Sequence, residues 1–191
     1  MNTKFEKLIK IFFKKNSEIN LSWIKEKNAI KIKHIQDSLE INKVINLNKW
    51  QDIIDFWTWW GFPLLPLAIS NPKSNFTWID ARRKKIDAIN DIINQVWIEN
   101  AKWVRTRAEE HKWKYDILTT RAVWYVDKIF SWSIHLVKKW GFFILLKEEK
   151  KGEYNDLETE MKKHKLKLTK THKYKLFEND INRIIYLLKK I

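Results

Sequence analysis

In 51-QDIIDFWTWWGFPLLPLAI-69, a short apolar run ends in Phe56, three tryptophans fall within four residues, and two prolines follow among leucines. Three readings compete: a membrane-interface anchor, a platform that stacks on RNA bases, or a loop whose tryptophans stand where another residue belongs. The membrane reading is weak. The apolar run from Ile53 to Ile69 carries Asp55 and is interrupted by Pro63 and Pro66, whereas a spanning helix needs roughly 20 mostly apolar residues.

Outward from this stretch the chain alternates. Residues 51–56, 75–80, 101–106, 115–120 and 141–147 are short runs rich in Ile, Val and Phe, the pattern of strands buried on both faces. Between them, 63–70, 82–96, 125–138 and 153–163 have helical character. Strand, helix, strand, helix predicts a mainly parallel sheet covered on both faces. The tail, HKLKLTKTHKYKLF and then NRIIYLLKK, adds an antiparallel pair, so the expected sheet has seven strands. Ligands of such sheets bind beyond the carboxyl ends of the strands, near the point where strand order reverses. The quoted stretch follows the first strand and therefore occupies that place.

A loop there ordinarily needs glycine, because the backbone turns sharply and a ligand must approach without a Cβ in the way. Trp57, Trp59 and Trp60 are the opposite. Glycine is 3 of 191 residues, about 1.6%, where roughly 7% is ordinary. Adding the 12 tryptophans gives 15 of 191, about 8%. Trp50 precedes a strand, Trp97 follows a helix, Trp113 precedes a strand, Trp124 follows one, and Trp140 adjoins Gly141. These are places where turn chemistry asks for glycine. The expectation is that most or all of the tryptophans are glycines in the organism, UGA codons having been translated under the wrong code. The competing reading is a Trp-rich chain that stacks on bases. A majority of UGG among the twelve codons would overturn the glycine reading.

With glycine, residues 51–69 become QDIIDFGTGGGFPLLPLAI, which resembles the first motif of the bacterial RsmG (GidB) family. The resemblance continues in order along the chain. HIQDSL (34–39) is similar to the family's His-x-x-Asp-Ser-Leu segment, and WIDARRKKIDAI (78–89) to its second-strand acidic residue and basic helix. RAEE (107–110) is similar to its Ala-Glu pair, TTRAV (119–123) to its Ser-Arg-Ala segment, and KKWGFFILLK (138–147) to its Gly-Gly turn and fifth strand. Together these cover roughly residues 20 to 190. The resemblance implies a Rossmann-like class I methyltransferase fold with S-adenosylmethionine as cofactor. It also implies methylation of the seventh ring nitrogen of a guanine in 16S rRNA, in the 530-loop region. The tryptophans are the departure from the family's pattern.

By the same resemblance, positions 57, 59 and 61 (Trp57, Trp59 and Gly61) would let the backbone pass close to the cofactor's amino-acid end, with Phe62 flanking it. The helix starting near Pro63 would turn its N–H groups toward the cofactor carboxylate. Asp80 lies 80 − 57 = 23 residues after the loop's first position, near the roughly 20-residue spacing of a ribose-binding carboxylate. Ala81 and Arg82 would continue that contact, and Ala108 with Glu109 would lie at the adenine. Asp55 would either hold the loop or reach the cofactor's amino group. Arg121 would be a cofactor contact, an RNA phosphate contact or a structural ion pair. No catalytic base is assigned, because the seventh nitrogen of guanine already carries a free lone pair and positioning suffices.

The formal charge is +15, which favours a polyanionic partner; the resemblance makes it 16S rRNA or the small ribosomal subunit. Arg83, Lys84 and Lys85 lie near the expected site. The alternate lysines of KKHKLKLTKTHKYK (162–175) are read either as protection of an edge strand or as part of an rRNA footprint. The alternative function is a non-catalytic, basic, aromatic-rich RNA-binding module. His34, His111, His135, His164 and His172 show no metal-ligand spacing and are expected on helices or the surface, with no metal. There are no cysteines, which excludes disulfides and thiol nucleophiles. Phe5, Leu8, Ile9, Phe12 and Phe13 share one face of an N-terminal helix, with Thr3 and Glu6 as a capping box. Residues 21–41 look helical with turns. The expected organisation is a helical extension over 1–47 and a methyltransferase domain over 48–191, in a cytoplasmic monomer without a secretory signal or membrane partner.

Overall fold

The computed structural model describes residues 3–56, 60–81, 83–121, 125–149, 153–176 and 181–191, without the side chains of 84, 85 and 153. Seven strands form one sheet: β1 (Asp52–Phe56), β2 (Asn75–Asp80), β3 (Ala101–Arg105), β4 (Tyr115–Arg121), β5 (Val137–Glu148), β6 (Leu166–Leu176) and β7 (Ile181–Lys190). Their order is β3-β2-β1-β4-β5-β7-β6. The first five run parallel, and β7 lies antiparallel between β5 and β6. The order reverses between β1 and β4, so the carboxyl end of β1 sits at the switch point. This is the Rossmann-like class I methyltransferase sheet expected from the sequence.

The period-two alternation of the strands sorts their side chains into two cores. Ile53, Phe76, Trp78, Ile117, Ile144 and Ile185 face one layer with Leu8 and Phe12 of α1 (Thr3–Ile19) and with Ile89, Ile92 and Val96 of α5 (Arg83–Val96). Ile54, Ile79, Leu118, Phe143, Leu145 and Leu188 face the other, with Ile129 and Phe130 of α6 (Val126–Ser133) and Leu157 of α7 (Glu153–Lys163). Neighbouring strand residues thus serve opposite layers, which requires apolar side chains at nearly every position.

The N-terminal segment joins the first of these cores. After α1, residues 27–43 form a continuous coil of short pieces: α2 (Lys27–Ile30), a wider π turn (Lys31–Gln36), α3 (Asp37–Leu39) and a 3₁₀ turn (Glu40–Lys43). Ile30, Ile35 and Ile41 are buried against the sheet layer. Among the described residues no helix is long and apolar enough to cross a membrane.

Two elements differ from the sequence expectation. The helix expected over 125–138 ends at Ser133, and β5 begins at Val137, not at 141. Val137 pairs with Tyr115, and the register then shifts so that Phe142 faces Ile117. Gly141 passes so close to β4 that a Cβ would lie 2.7 Å from the Asp116 carbonyl. An irregular strand start of this kind leaves no simple period in sequence. The first sheet helix, α4 (Leu64–Ser70), is short; the Leu65 N–H already donates to the Gly61 carbonyl (2.9 Å) and Pro66 has no N–H. It therefore offers less of a charged helix end than the sequence suggested.

Candidate active site

The parallel strands end along one edge of the sheet, where Phe56, Asp80, Arg105 and Arg121 close β1, β2, β3 and β4. Asp55, one residue before the end of β1, is fully buried. Asp80 is half-buried and Ala81 exposed beside it, while Ala108 and Glu109 form a 3₁₀ turn just after β3. These residues lie at or just beyond the ends of adjacent strands. Gly61 follows the β1 loop with φ of +99°, and a Cβ there would meet Leu65 Cδ1 at 2.7 Å and Trp78 Cη2 at 2.9 Å. Only glycine fits that backbone without strain. Trp57, Trp59 and Arg82 lie outside the described residues, as do the side chains of Lys84 and Lys85. Arg83 is exposed and 4.0 Å from Asp87.

The tryptophans fall into two structural classes. Trp50, Trp60, Trp97 and Trp140 have φ between 59° and 68°; with Asn20 and Lys165 they are the described non-glycine residues at positive φ. For a bulky side chain this left-handed backbone is a genuine outlier. At Trp97 the requirement is explicit. The Trp97 N–H donates to the Asn94 carbonyl (3.2 Å) and the Ile98 N–H to the Ile93 carbonyl (3.1 Å), the bonding of a helix end that calls for glycine at the left-handed position. Trp50, Trp97 and Trp140 are also more than half exposed. Trp78 and Trp103 are different: they stack at 5.1 Å between β2 and β3, and Trp78 is fully buried. Glycine at either would leave a hole in the core.

Arg121 is held by the N-terminal segment. It sits 2.8 Å from Asp37 Oδ2, donates to the Lys33 carbonyl, and lies 3.5 Å from His34 Nδ1. Asp37 is fully buried and also accepts two bonds from Arg183 (3.2 and 3.1 Å) and one from the Tyr174 hydroxyl (2.6 Å). Burial opposes ionisation of Asp37, but Arg121 and Arg183 outweigh it and hold its carboxyl below the usual range. Burial lowers the Arg121 pKa, an effect that Asp37 and Asp55 partly offset. His34 stacks on Phe62 at 4.5 Å with 10° between the rings. Burial, aided by Arg121, pushes its pKa down to about 3, so the ring is neutral near pH 7.

These contacts join the loop residue Phe62 and the β4 residue Arg121 to a cavity of about 260 Å³ beside the N-terminal segment. Motif and spacing assign no role to Lys33, His34, Asp37, Tyr174 or Arg183. The signal was partial: HIQDSL places His34 and Asp37 three apart on one helical face, but nothing local pairs either with residues more than 80 positions away. Among the described residues no group of three or more His, Cys, Asp or Glu is arranged to hold a metal ion.

Comparison with known proteins agrees with this geometry. A family profile described as "GidB: rRNA small subunit methyltransferase G" matches residues 1–184. The "Ribosomal RNA small subunit methyltransferase G" of Thermoanaerobacter sp. (strain X514) is 30% identical over 194 residues, covering 98% of this chain and 81% of that protein. The protein of the same name from Lysinibacillus sphaericus is 28% identical, covering 99% and 82%. Among solved structures, M. jannaschii TYW2 in complex with AdoMet superposes with a TM-score of 0.62 at 15% identity, over 82% of this chain and 77% of that one. TrmN from Thermus thermophilus gives 0.64 at 13%, over 81% and 48%. At such identities these structures speak for the fold.

Proposed function

The chain belongs to the rRNA small subunit methyltransferase G (GidB) family, and from that premise we propose that it methylates the seventh ring nitrogen of a guanine in the 530-loop region of 16S rRNA, using S-adenosylmethionine. What supports the cofactor side is the place of Gly61, at positive φ just after β1 where the strand order reverses, the position at which such sheets take a ligand; its missing Cβ makes room for Leu65 and Trp78. Family membership removes the ground for the non-catalytic RNA-binding alternative.

The bound cofactor supplies an electrophilic methyl carbon on a charged sulfur. The chain's own residues bind and orient. Asp80 would accept bonds from the ribose hydroxyls, with Ala81 and Arg82 beside it, and Ala108 with Glu109 would meet the adenine. Asp55 would face the amino-acid end, and Phe62, braced by the neutral His34 ring, would flank it. No side chain needs to remove a proton from the acceptor, because its lone pair is free. Rate then depends on holding nucleophile, methyl carbon and sulfur in line and on keeping water out.

The same proposal includes glycine in place of Trp50, Trp60, Trp97 and Trp140, whose backbone already has glycine's conformation, and extends to Trp57 and Trp59, the neighbours of Trp60. A version with glycine at positions 57, 59 and 60 is therefore the right protein for a binding test. In it, Asp80→Asn should weaken S-adenosylmethionine about tenfold or more, because bonds to a charged carboxylate are lost. Isothermal titration calorimetry measures this. Equal affinity in the two proteins would remove Asp80 from the cofactor site.

A further inference from the structure

The cavity beside Arg121 lies over a different part of the sheet from the ribose and adenine residues. Its wall takes Arg121 from the end of β4, Glu148 from the end of β5, and Arg183 near the start of β7, together with Lys33, His34 and Phe62. Asp80 ends β2, and Ala108 and Glu109 follow β3, on the far side of the switch point. The cavity therefore sits beside the cofactor loop, on the half of the sheet left for the acceptor.

Three cations line it, against one carboxylate on the wall, Glu148; behind the wall Asp37 is shared by both guanidinium groups, and the buried Asp55 acts on Arg121 as well. The neutral His34 adds nothing to this sum. Both guanidinium groups are mostly buried, with side-chain exposures of 15% for Arg121 and 12% for Arg183. Asp37 fixes their directions, taking two bonds from Arg183, whose side chain carries five N–H donors. Trp23 and Trp60 also touch the cavity; as glycines they would widen it without removing a charge.

We propose that this cavity receives a backbone phosphate of the RNA next to the acceptor guanine, with Arg183 and Lys33 as its contacts and Asp37 as the residue that positions Arg183. This rests on the rRNA methyltransferase reading. Arg121 anchors the N-terminal segment to the same wall, so that segment is part of the substrate site and not only a cover for the sheet. A planar guanidinium held at two points by a carboxylate is rigid enough to present its outer donors to a phosphate in a fixed direction.

The test is binding of in vitro transcribed 16S rRNA across a series of salt concentrations, with S-adenosylmethionine affinity measured in parallel, for the unaltered protein and for Arg183→Gln, Arg183→Lys and Lys33→Gln. Each lost phosphate contact should reduce the slope of log affinity against log salt by about 0.7. Arg183→Gln and Lys33→Gln should each show that reduction and bind RNA about tenfold more weakly. Arg183→Lys should retain the slope, and cofactor affinity should stay within about twofold throughout. A purely structural role for Arg183 would lower its melting temperature and leave the slope alone. Lys33, which comes from the N-terminal segment, keeps the inference testable if Arg183→Gln does not fold. Unchanged slopes in both Gln variants of a protein that methylates RNA overturn this inference alone. Weaker cofactor with an unchanged RNA slope assigns the anion site to the cofactor carboxylate instead. If the unaltered protein binds no RNA, the inference falls together with the reading beneath it.

Discussion

Changing Trp50, Trp60, Trp97 and Trp140 to glycine together is expected to stabilise the protein by a net of about 2–4 kcal/mol, the roughly 1–2 kcal/mol of strain relieved at each position less the roughly 0.5–1 kcal/mol of freedom that glycine gives up there. All four hold left-handed backbone, which strains a bulky side chain and costs glycine little. The net gain rests on the strain exceeding the loss of freedom. Trp97 should contribute most clearly, because the two hydrogen bonds that close α5 fix its φ. Trp78→Gly is the control of opposite sign: removing a fully buried indole should cost about 3–5 kcal/mol. Urea unfolding of both variants measures the difference. A quadruple variant less stable than the chain as written would show that the tryptophans belong where they stand.

Asp37→Ala should destabilise the fold by about 3–5 kcal/mol, because it strands two mostly buried guanidinium groups without their shared carboxylate. Tyr174 would lose its acceptor as well. The pH dependence has a definite sign. Asp37 has a folded pKa below its unfolded value, so its contribution is complete above about pH 4 and is lost as pH falls through the folded value. The gap in stability between the two proteins should therefore be constant from about pH 5 to 8 and shrink only in stronger acid. A gap below about 1 kcal/mol at neutral pH would mean the network is solvated enough to do without the carboxylate.

The sheet was legible because buried parallel strands must be apolar at most positions, and β1, β2 and β4 carry that run to within one residue of its observed ends; β3, at the sheet edge, has no fully buried residue. β5 was not, since its first residues pair across a shifted register at Gly141. On the cofactor side, Asp55, Gly61, Asp80 and Arg121 were named from motif and spacing, and the fold sets them at the ends or loops of neighbouring strands. The Asp37 network was invisible for a physical reason. Its partners lie 146 positions apart at Arg183 and 137 at Tyr174, and a single sequence carries no trace of which buried charges meet. β6 is an edge strand of the sheet, and its Lys170 and Lys173 donate to the Lys43 carbonyl and to Glu149.

The most direct measurement is transfer of a labelled methyl group from S-adenosylmethionine to unmodified 16S rRNA, catalysed by the version carrying glycine at positions 57, 59 and 60, with the product mapped to the base and atom. The predicted result is label on the seventh nitrogen of a single guanine in the 530-loop region, with far less from the chain as written. A folded glycine version that binds both cofactor and RNA yet transfers no label, or transfers it to another atom, would contradict the account.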